Sequence, residues 1–277
     1  MKGLLAVIPA RLGATRLPRK PLRLLGGRPL VVRVWERAVA LEVAERVVVA
    51  TDEAEVAEAV RAAGGEAVLT RADHPSGTDR VAEVASRDAF AEYHAIVNIQ
   101  GDEPFASARI VRGAADLVTS GRFPLGTVAC PATPDVLASP DVVKVVATDE
   151  GRAMYFSRAP IPFLRDATDA RELALRDQHL RRHVGIYAYT REALARWVAL
   201  PPHPLEAIER LEQLRPLAHG LAMGVAVVQE APPPGIDTEE DLARADAAWP
   251  AWAARHARAT STPDAPHAPD TLPRSRA

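Results

Sequence analysis

"GLLAVIPA" (residues 3–10), followed at once by "RLGATRLPRKPL" (11–22), is the stretch on which the fold turns. The first part is an unbroken apolar run, the pattern of a strand buried on both faces of a parallel sheet. The second part puts Arg11, Arg16, Arg19 and Lys20 into one loop that contains Gly13 and no acidic residue to neutralise them. Ligands of an open α/β sheet bind beyond the carboxyl ends of its strands. A basic, glycine-containing loop leaving the first strand therefore predicts a polyanion at that edge, such as a nucleotide triphosphate. The loop matches neither G-x-x-x-x-G-K-[ST] nor G-x-G-x-x-G, so P-loop and dinucleotide-binding readings are weak. The competing reading is a solvated basic loop that pairs with carboxylates elsewhere.

Outward from this stretch, strand and helix patterns alternate. "PLVVRVWERAVAL" (29–41) is helical, "RVVVAT" (46–51) a strand, and "DEAEVAEAVRAAG" (52–64) a helix stopped by Gly64. "EAVLT" (66–70) is a strand, "TDRVAEVASRDAF" (78–90) a helix with Thr78 as N-cap, and "AIVNIQ" (95–100) a strand. Strands joined by single helices imply right-handed crossovers and a parallel sheet. After a helix near 107–120 come strand-like "LGTVACPA" (125–132), "VVKVVAT" (142–148) and "AMYFSR" (153–158), too close together for intervening helices, so some pair antiparallel. "HVGIYAYT" (183–190) and "AMGVAVVQ" (222–229) read as strands, and "LEAIERLEQLR" (205–215) and "TEEDLARADAAW" (238–249) as helices. The expected architecture is one α/β domain over residues 1–250 with a mixed, mostly parallel central sheet. From 255 to 277 the chain is rich in Ala, Pro, Ser, Thr and charge, the composition of a disordered tail.

Composition bounds the class. The 277 residues are 48% hydrophobic and 25% charged, with a net charge of −2, which speaks against a dedicated nucleic-acid binder. No apolar run approaches the roughly 18 residues needed to span a bilayer, and the short N-terminal apolar stretch reads as a first strand and not as a signal peptide. A single cysteine, Cys130, excludes internal disulfides and suits a reducing cytoplasm. Of the 34 basic residues only Lys2, Lys20 and Lys144 are lysine, so a lysine at position 20 stands out in a chain that otherwise uses arginine.

Further stretches carry candidate chemistry. In "NIQGDEPF" (98–105), Gly101 turns the chain at the ligand edge and exposes Asp102 and Glu103, suited to Mg²⁺, which takes one or two carboxylates together with phosphate oxygens. Asn98 and Gln100, on one face of the preceding strand, are costly unless paired. "TRADHPSGTDR" (70–80) offers Ser76, Gly77, Thr78 and Arg80 to a base and ribose, or else a plain helix cap. Arg158, at a strand end, and His183 and Tyr187, on one strand, are polar groups in apolar surroundings, and Glu212 and Gln213 are adjacent on a helix. By itself His183 reads as a hydrogen-bonded structural histidine. Asp237, just before Thr238, is either a second metal ligand or an acid offsetting the dipole of the last helix.

In order, "IPAR…TRLPRKPL", "VVVATD", "TRADHPSGTDRVAEV", "NIQGDEPF", "VVKVV", "YFSRAPIPF", "RHVGIYAY", "LEQLR" and "IDTEEDL" resemble the cytidylyltransferases that activate 3-deoxy-D-manno-octulosonate (Kdo), across residues 2 to about 246. The resemblance implies a single nucleotide-diphospho-sugar-transferase-like (Rossmann-like) domain, cytoplasmic and homodimeric. It implies a reaction of CTP with Kdo to CMP-Kdo and pyrophosphate, dependent on Mg²⁺, for lipopolysaccharide assembly. It further implies Pro9, Ala10, Arg11, Lys20, Arg71, Ser76, Gly77 and Arg80 for the nucleotide, Arg11, Lys20 and Asp102 for catalysis, and Asp102 and Asp237 for the metal. Gln100, Arg158, His183, Tyr187, Glu212 and Gln213 are implied for the sugar acid. The family often has a serine where this chain has Ala14, so a phosphate contact would be missing here or pass to Thr15 or a backbone N–H. Rival readings are activation of an 8-amino Kdo analogue or of sialic acid, and a non-catalytic nucleotide-binding regulator. "NIQGDEPF" and "RHVGIYAY" favour Kdo.

Overall fold

The computed structural model describes residues 3–13, 16–165 and 169–256; positions 14 and 15 and the tail from 257 lie outside the described residues. Strand β1 (Leu4–Ala10) runs through the middle of the sheet. Leu4, Ala6 and Ile8 enter one core and Leu5 and Val7 the other, so its apolar run is buried on both faces as a period-two strand requires. A small hairpin, β2 (Leu24–Leu25) and β3 (Arg28–Pro29), leads into α1 (Leu30–Ala40). Then follow β4 (Arg46–Thr51), α2 (Ala54–Ala62), β5 (Glu66–Leu69), α3 (Gly77–Ser86), β6 (Ala95–Asn98), α4 (Ala108–Thr119) and β7 (Leu125–Pro131). The second half comprises β8 (Lys144–Ala147), β9 (Ala153–Ser157), α5 (Ala170–His179), β10 (Arg181–Thr190), α6 (Arg191–Ala199), α7 (Pro204–Glu209), α8 (Leu214–Ala218), β11 (Met223–Val227) and α9 (Glu239–His256).

The main sheet has the order β11-β7-β10-β6-β1-β4-β5. Within that row β10 alone runs antiparallel to its neighbours β6 and β7, and β8 and β9 extend its start as an antiparallel pair. The sheet is thus mixed and mostly parallel, as the alternating patterns predict. Helices α1, α2, α4 and α9 supply the core on one face, and α3, α6 and α8 that on the other.

Three local expectations change. Helix α3 is capped by Ser76, whose Oγ accepts from the Asp79 N–H, because the hydroxyl of Thr78 is committed elsewhere. Residues 205–215 form no continuous helix: Arg210, at φ 52°, breaks it into α7 and α8. Helix α9 continues through Pro250 to His256, held by Trp249 and Trp252 against Phe105, so the expected tail begins no earlier than residue 257.

Candidate active site

The carboxyl ends of β1 and β6 meet in a cavity of about 390 Å³. Gly101 turns the chain after β6 against β1, where a Cβ would stand 2.7 Å from the Pro9 carbonyl oxygen, so a side chain here would force the two strand ends apart. The turn presents Asp102. From the other direction the Ile236 N–H donates to the Asp102 carbonyl at 3.0 Å, which brings in the start of α9. There Thr238 Oγ1 accepts from the Asp241 N–H, and Asp241 Oδ2 accepts from the N–H groups of Asp237 and Thr238. This reciprocal cap fixes Asp237 opposite Asp102.

Lys20 lies between them. Arg19, at φ 57°, turns the loop after β1 so that the Lys20 ammonium donates to Asp102 Oδ2 at 2.6 Å and to Asp237 Oδ1 at 2.9 Å. Burial alone would lower the Lys20 pKa; the two aspartates outweigh it and raise it. Arg16 adds a second pairing to Asp237 Oδ2 at 3.0 Å. Behind them, burial and the neighbouring Asp102 charge push the Glu103 carboxyl up to about 8.

Of the residues anticipated from sequence, Pro9, Ala10, Arg11, Lys20, Ser76, Gly77, Arg80, Gln100, Asp102 and Asp237 line this one cavity. Buried Arg80 is paired with Asp52 Oδ1 at 3.0 Å and with the Thr70 hydroxyl. Arg71 lies off the cavity wall; its guanidinium joins Asp73 at 2.9 Å in solvent.

Five sugar-side candidates gather beyond the cavity, around β9, β10 and the break between α7 and α8. The Arg158 guanidinium donates to the carbonyls of Glu209 (2.8 Å) and Pro140 (2.7 Å), while the Glu209 carboxylate accepts from Ser157 Oγ and the Arg158 N–H. His183 Nε2 lies 2.9 Å from Thr127 Oγ1, with its ring against Phe156 and Tyr187. Burial pushes the imidazole down to about 3. Burial likewise raises the Tyr187 phenol. Glu212 accepts from Thr78 Oγ1 at 2.9 Å, and Gln213 is buried. Glu212 thereby joins this cluster to the cap of α3, and burial raises its carboxyl. His183 also borders a second cavity of about 270 Å³, shared with Glu103 and Arg182.

Sequence reasoning did not single out four further participants: His74 on the cavity wall, its partner Glu83, Asp52 behind Arg80, and Lys144. Fully buried Lys144 donates to the carbonyls of Ser139, Val142 and Arg158. Its signal was available, since lysine is rare in this chain. Asp52 and Glu83 gave none, because helix-flanking acids are ordinary.

Comparison with known proteins bears on this arrangement. A family model described as Cytidylyltransferase matches residues 5–223. The 3-deoxy-manno-octulosonate cytidylyltransferase of Gemmatimonas aurantiaca is 62% identical over 245 residues, 88% of this chain and 93% of that protein. Its namesake from Methylococcus capsulatus is 49% identical over 244 residues, covering 86% and 94% respectively. A solved structure of a CMP:2-keto-3-deoxy-manno-octonic acid synthetase complexed with CTP superposes with a TM-score of 0.82 at 38% identity, covering 90% of this chain and 99% of that one.

Proposed function

The chain belongs to the 3-deoxy-manno-octulosonate cytidylyltransferase family, and from that premise we propose that its cavity binds CTP and transfers CMP to Kdo, releasing pyrophosphate. One observation carries the assignment of the site: two carboxylates from distant parts of the sequence converge on a single ammonium at the cavity wall. Arg11, Arg16 and Lys20 supply positive charge for the triphosphate. The loop Ser76–Gly77 and the neutralised Arg80 leave a wall without free cations for the nucleoside, with Pro9 and Ala10 beneath it. Arg71, exposed at the loop's outer side, would need to swing inward to join them.

Asp102 and Asp237 fit Mg²⁺, since their oxygens already approach one point and hard cations of this kind bind one or two carboxylates with substrate phosphates. When bound, the ion would neutralise phosphate charge and lower the pKa of the attacking hydroxyl. The protein's own part is positioning and electrostatic stabilisation. Arg11 and Lys20 face the charge that grows on departing pyrophosphate as the anomeric hydroxyl of Kdo attacks the α-phosphorus in line. For the sugar acid the reading takes Gln100, on the cavity wall, together with Arg158, His183, Tyr187, Glu212 and Gln213. The last five are bonded to or packed on protein groups, so a sugar acid would have to take the place of some of those contacts.

The same proposal includes one catalytic domain over residues 1–250, a homodimer and a cytoplasmic setting. Met154, Phe163, Leu175 and Ile208, all in the second half of the chain, are 58–77% exposed, and α5 buries none of its residues, which leaves apolar surface that a second copy would cover. Cys130 is buried and unbridged, in keeping with a reducing compartment. No helix among the described residues is long and apolar enough to cross a membrane.

The test is pyrophosphate release from CTP, UTP and ATP with Kdo, its 8-amino analogue and sialic acid, in Mg²⁺ and in chelator. CTP with Kdo in Mg²⁺ is expected to stand above every other combination. Preference for another sugar acid would reassign the substrate, and CTP binding without sugar-dependent release would favour a regulator.

A further inference from the structure

His74 is buried to 9% side-chain exposure yet reaches the cavity wall, and its Nε2 lies 2.5 Å from Glu83 Oε2. Glu83 is a firmly ionised partner. Burial alone would raise its carboxyl, but the Arg71 N–H, His74 and Arg87 hold it down at about 2. A carboxylate only accepts, so Nε2 must carry the hydrogen. In the neutral ring the lone pair is then on Nδ1. That nitrogen points away from Glu83, and no group among the described residues pairs with it.

The rest of the cavity says which part of the ligand arrives there. Polyanion belongs with Lys20, Arg16 and the two aspartates. Arg80, whose side chain is only 3% exposed, is held by Asp52 and the Thr70 hydroxyl, unlike the exposed Arg16, so the end formed by His74, Gly77 and Gln100 suits an uncharged base. Gln100 offers both a carbonyl and an amide N–H, and a half-turn of its amide exchanges them. It cannot by itself separate an amino group from an oxo group. An imidazole whose tautomer is locked by a carboxylate can.

We propose that His74, oriented by Glu83, determines nucleotide specificity by accepting a hydrogen bond at Nδ1 from the 4-amino group of cytosine and facing the 4-oxo group of uracil with an unpaired acceptor. The inference rests on the CTP-binding reading above and deepens it. Two like acceptors brought together lose the bond and leave both desolvated, the kind of mismatch that sites built to hydrogen-bond their substrate reject strongly.

The experiment measures kcat/KM for CTP and for UTP at saturating Kdo in the wild type and in His74→Ala and Glu83→Gln variants, with KM for Kdo as the control. The wild type is expected to prefer CTP. His74→Ala should shrink the CTP/UTP ratio by about 10- to 100-fold with little change in the Kdo KM. Glu83→Gln should move the ratio in the same direction, because a glutamine amide can face Nε2 with either its carbonyl or its N–H and so no longer locks the tautomer. It also serves if His74→Ala does not fold. A wild type that favours CTP, with both variants keeping its ratio within about threefold, overturns this inference alone. A wild type that favours UTP overturns the CTP reading and this inference with it.

Discussion

At the ends of β1 and β6 charged side chains pair with one another on the wall of a cavity, whereas near β9 and β10 they are bonded to backbone carbonyls and a hydroxyl beyond it. Lys20, Asp102 and Asp237 form a compact centre that keeps its charges within reach of a ligand. Arg158, by contrast, holds two carbonyls and lies under the Glu209 carboxylate, and Glu212 holds Thr78. The first region is built before substrate arrives. In the second, Arg158 and Glu212 are bonded to protein partners, the arrangement that buried polar groups need. On the proposed assignment, the first region would clasp nucleotide and metal with groups already brought together, and the second would give up protein contacts to receive the sugar acid.

The sharpest way to break this contrast is Asp102→Ala. It should reduce turnover by at least ~10³-fold, because it removes a charge from the reacting centre, while the melting temperature stays within a few degrees. Retained Mg²⁺-dependent activity would show that the clasp lies elsewhere. Lys20→Ala comes next, with a loss of roughly 2–4 kcal/mol in transition-state stabilisation, read as kcat with KM for Kdo nearly constant. A third comparison separates the halves directly. Arg158→Ala should raise KM for Kdo by about tenfold and Arg11→Ala KM for CTP by a similar factor, with each leaving the other constant near its wild-type value. Equal effects on both constants would merge the two regions into one.

The smallest effect is on stability. His183 has a folded pKa depressed by burial to about 3, below its unfolded value of about 6.5. The unfolded chain therefore binds more protons than the native one between those values. The stability from a neutral buried ring is complete above about pH 6.5 and declines as pH falls toward 3, by at most ~1.4 kcal/mol per unit. Solvent still reaches part of the residue, so a fraction of that slope is expected. Denaturant unfolding of the wild type and His183→Phe at pH 7 and pH 5 measures it. An identical pH dependence in both proteins would mean that the ring is solvated.

The contrast also explains what the sequence made legible. The parallel core followed from apolar runs such as 3–10, and the clasp from charges whose neighbours could not neutralise them: a lysine in an arginine-rich chain, acids after a strand-ending glycine, and an acid beside a cap. The second region was harder to read. Nothing local shows that Arg210 takes a left-handed conformation, because the neighbouring Glu209 carbonyl is held by the guanidinium of Arg158, far away in the sequence. For the same reason the Thr78 hydroxyl, expected as a cap, turns instead to Glu212, leaving Ser76 to cap α3. The insertion of β10 between β6 and β7 depends on long-range pairing that periodicity does not encode.

The most direct measurement of the clasp is a titration of Mn²⁺, as a paramagnetic substitute for Mg²⁺, into the protein with CTP present, comparing wild type with Asp102→Asn, Asp237→Asn and Lys20→Met. Neutralising either aspartate should weaken ion binding by about tenfold or more, and removing the ammonium that competes for the same oxygens should not weaken it. Unchanged binding in both asparagine variants would contradict the account.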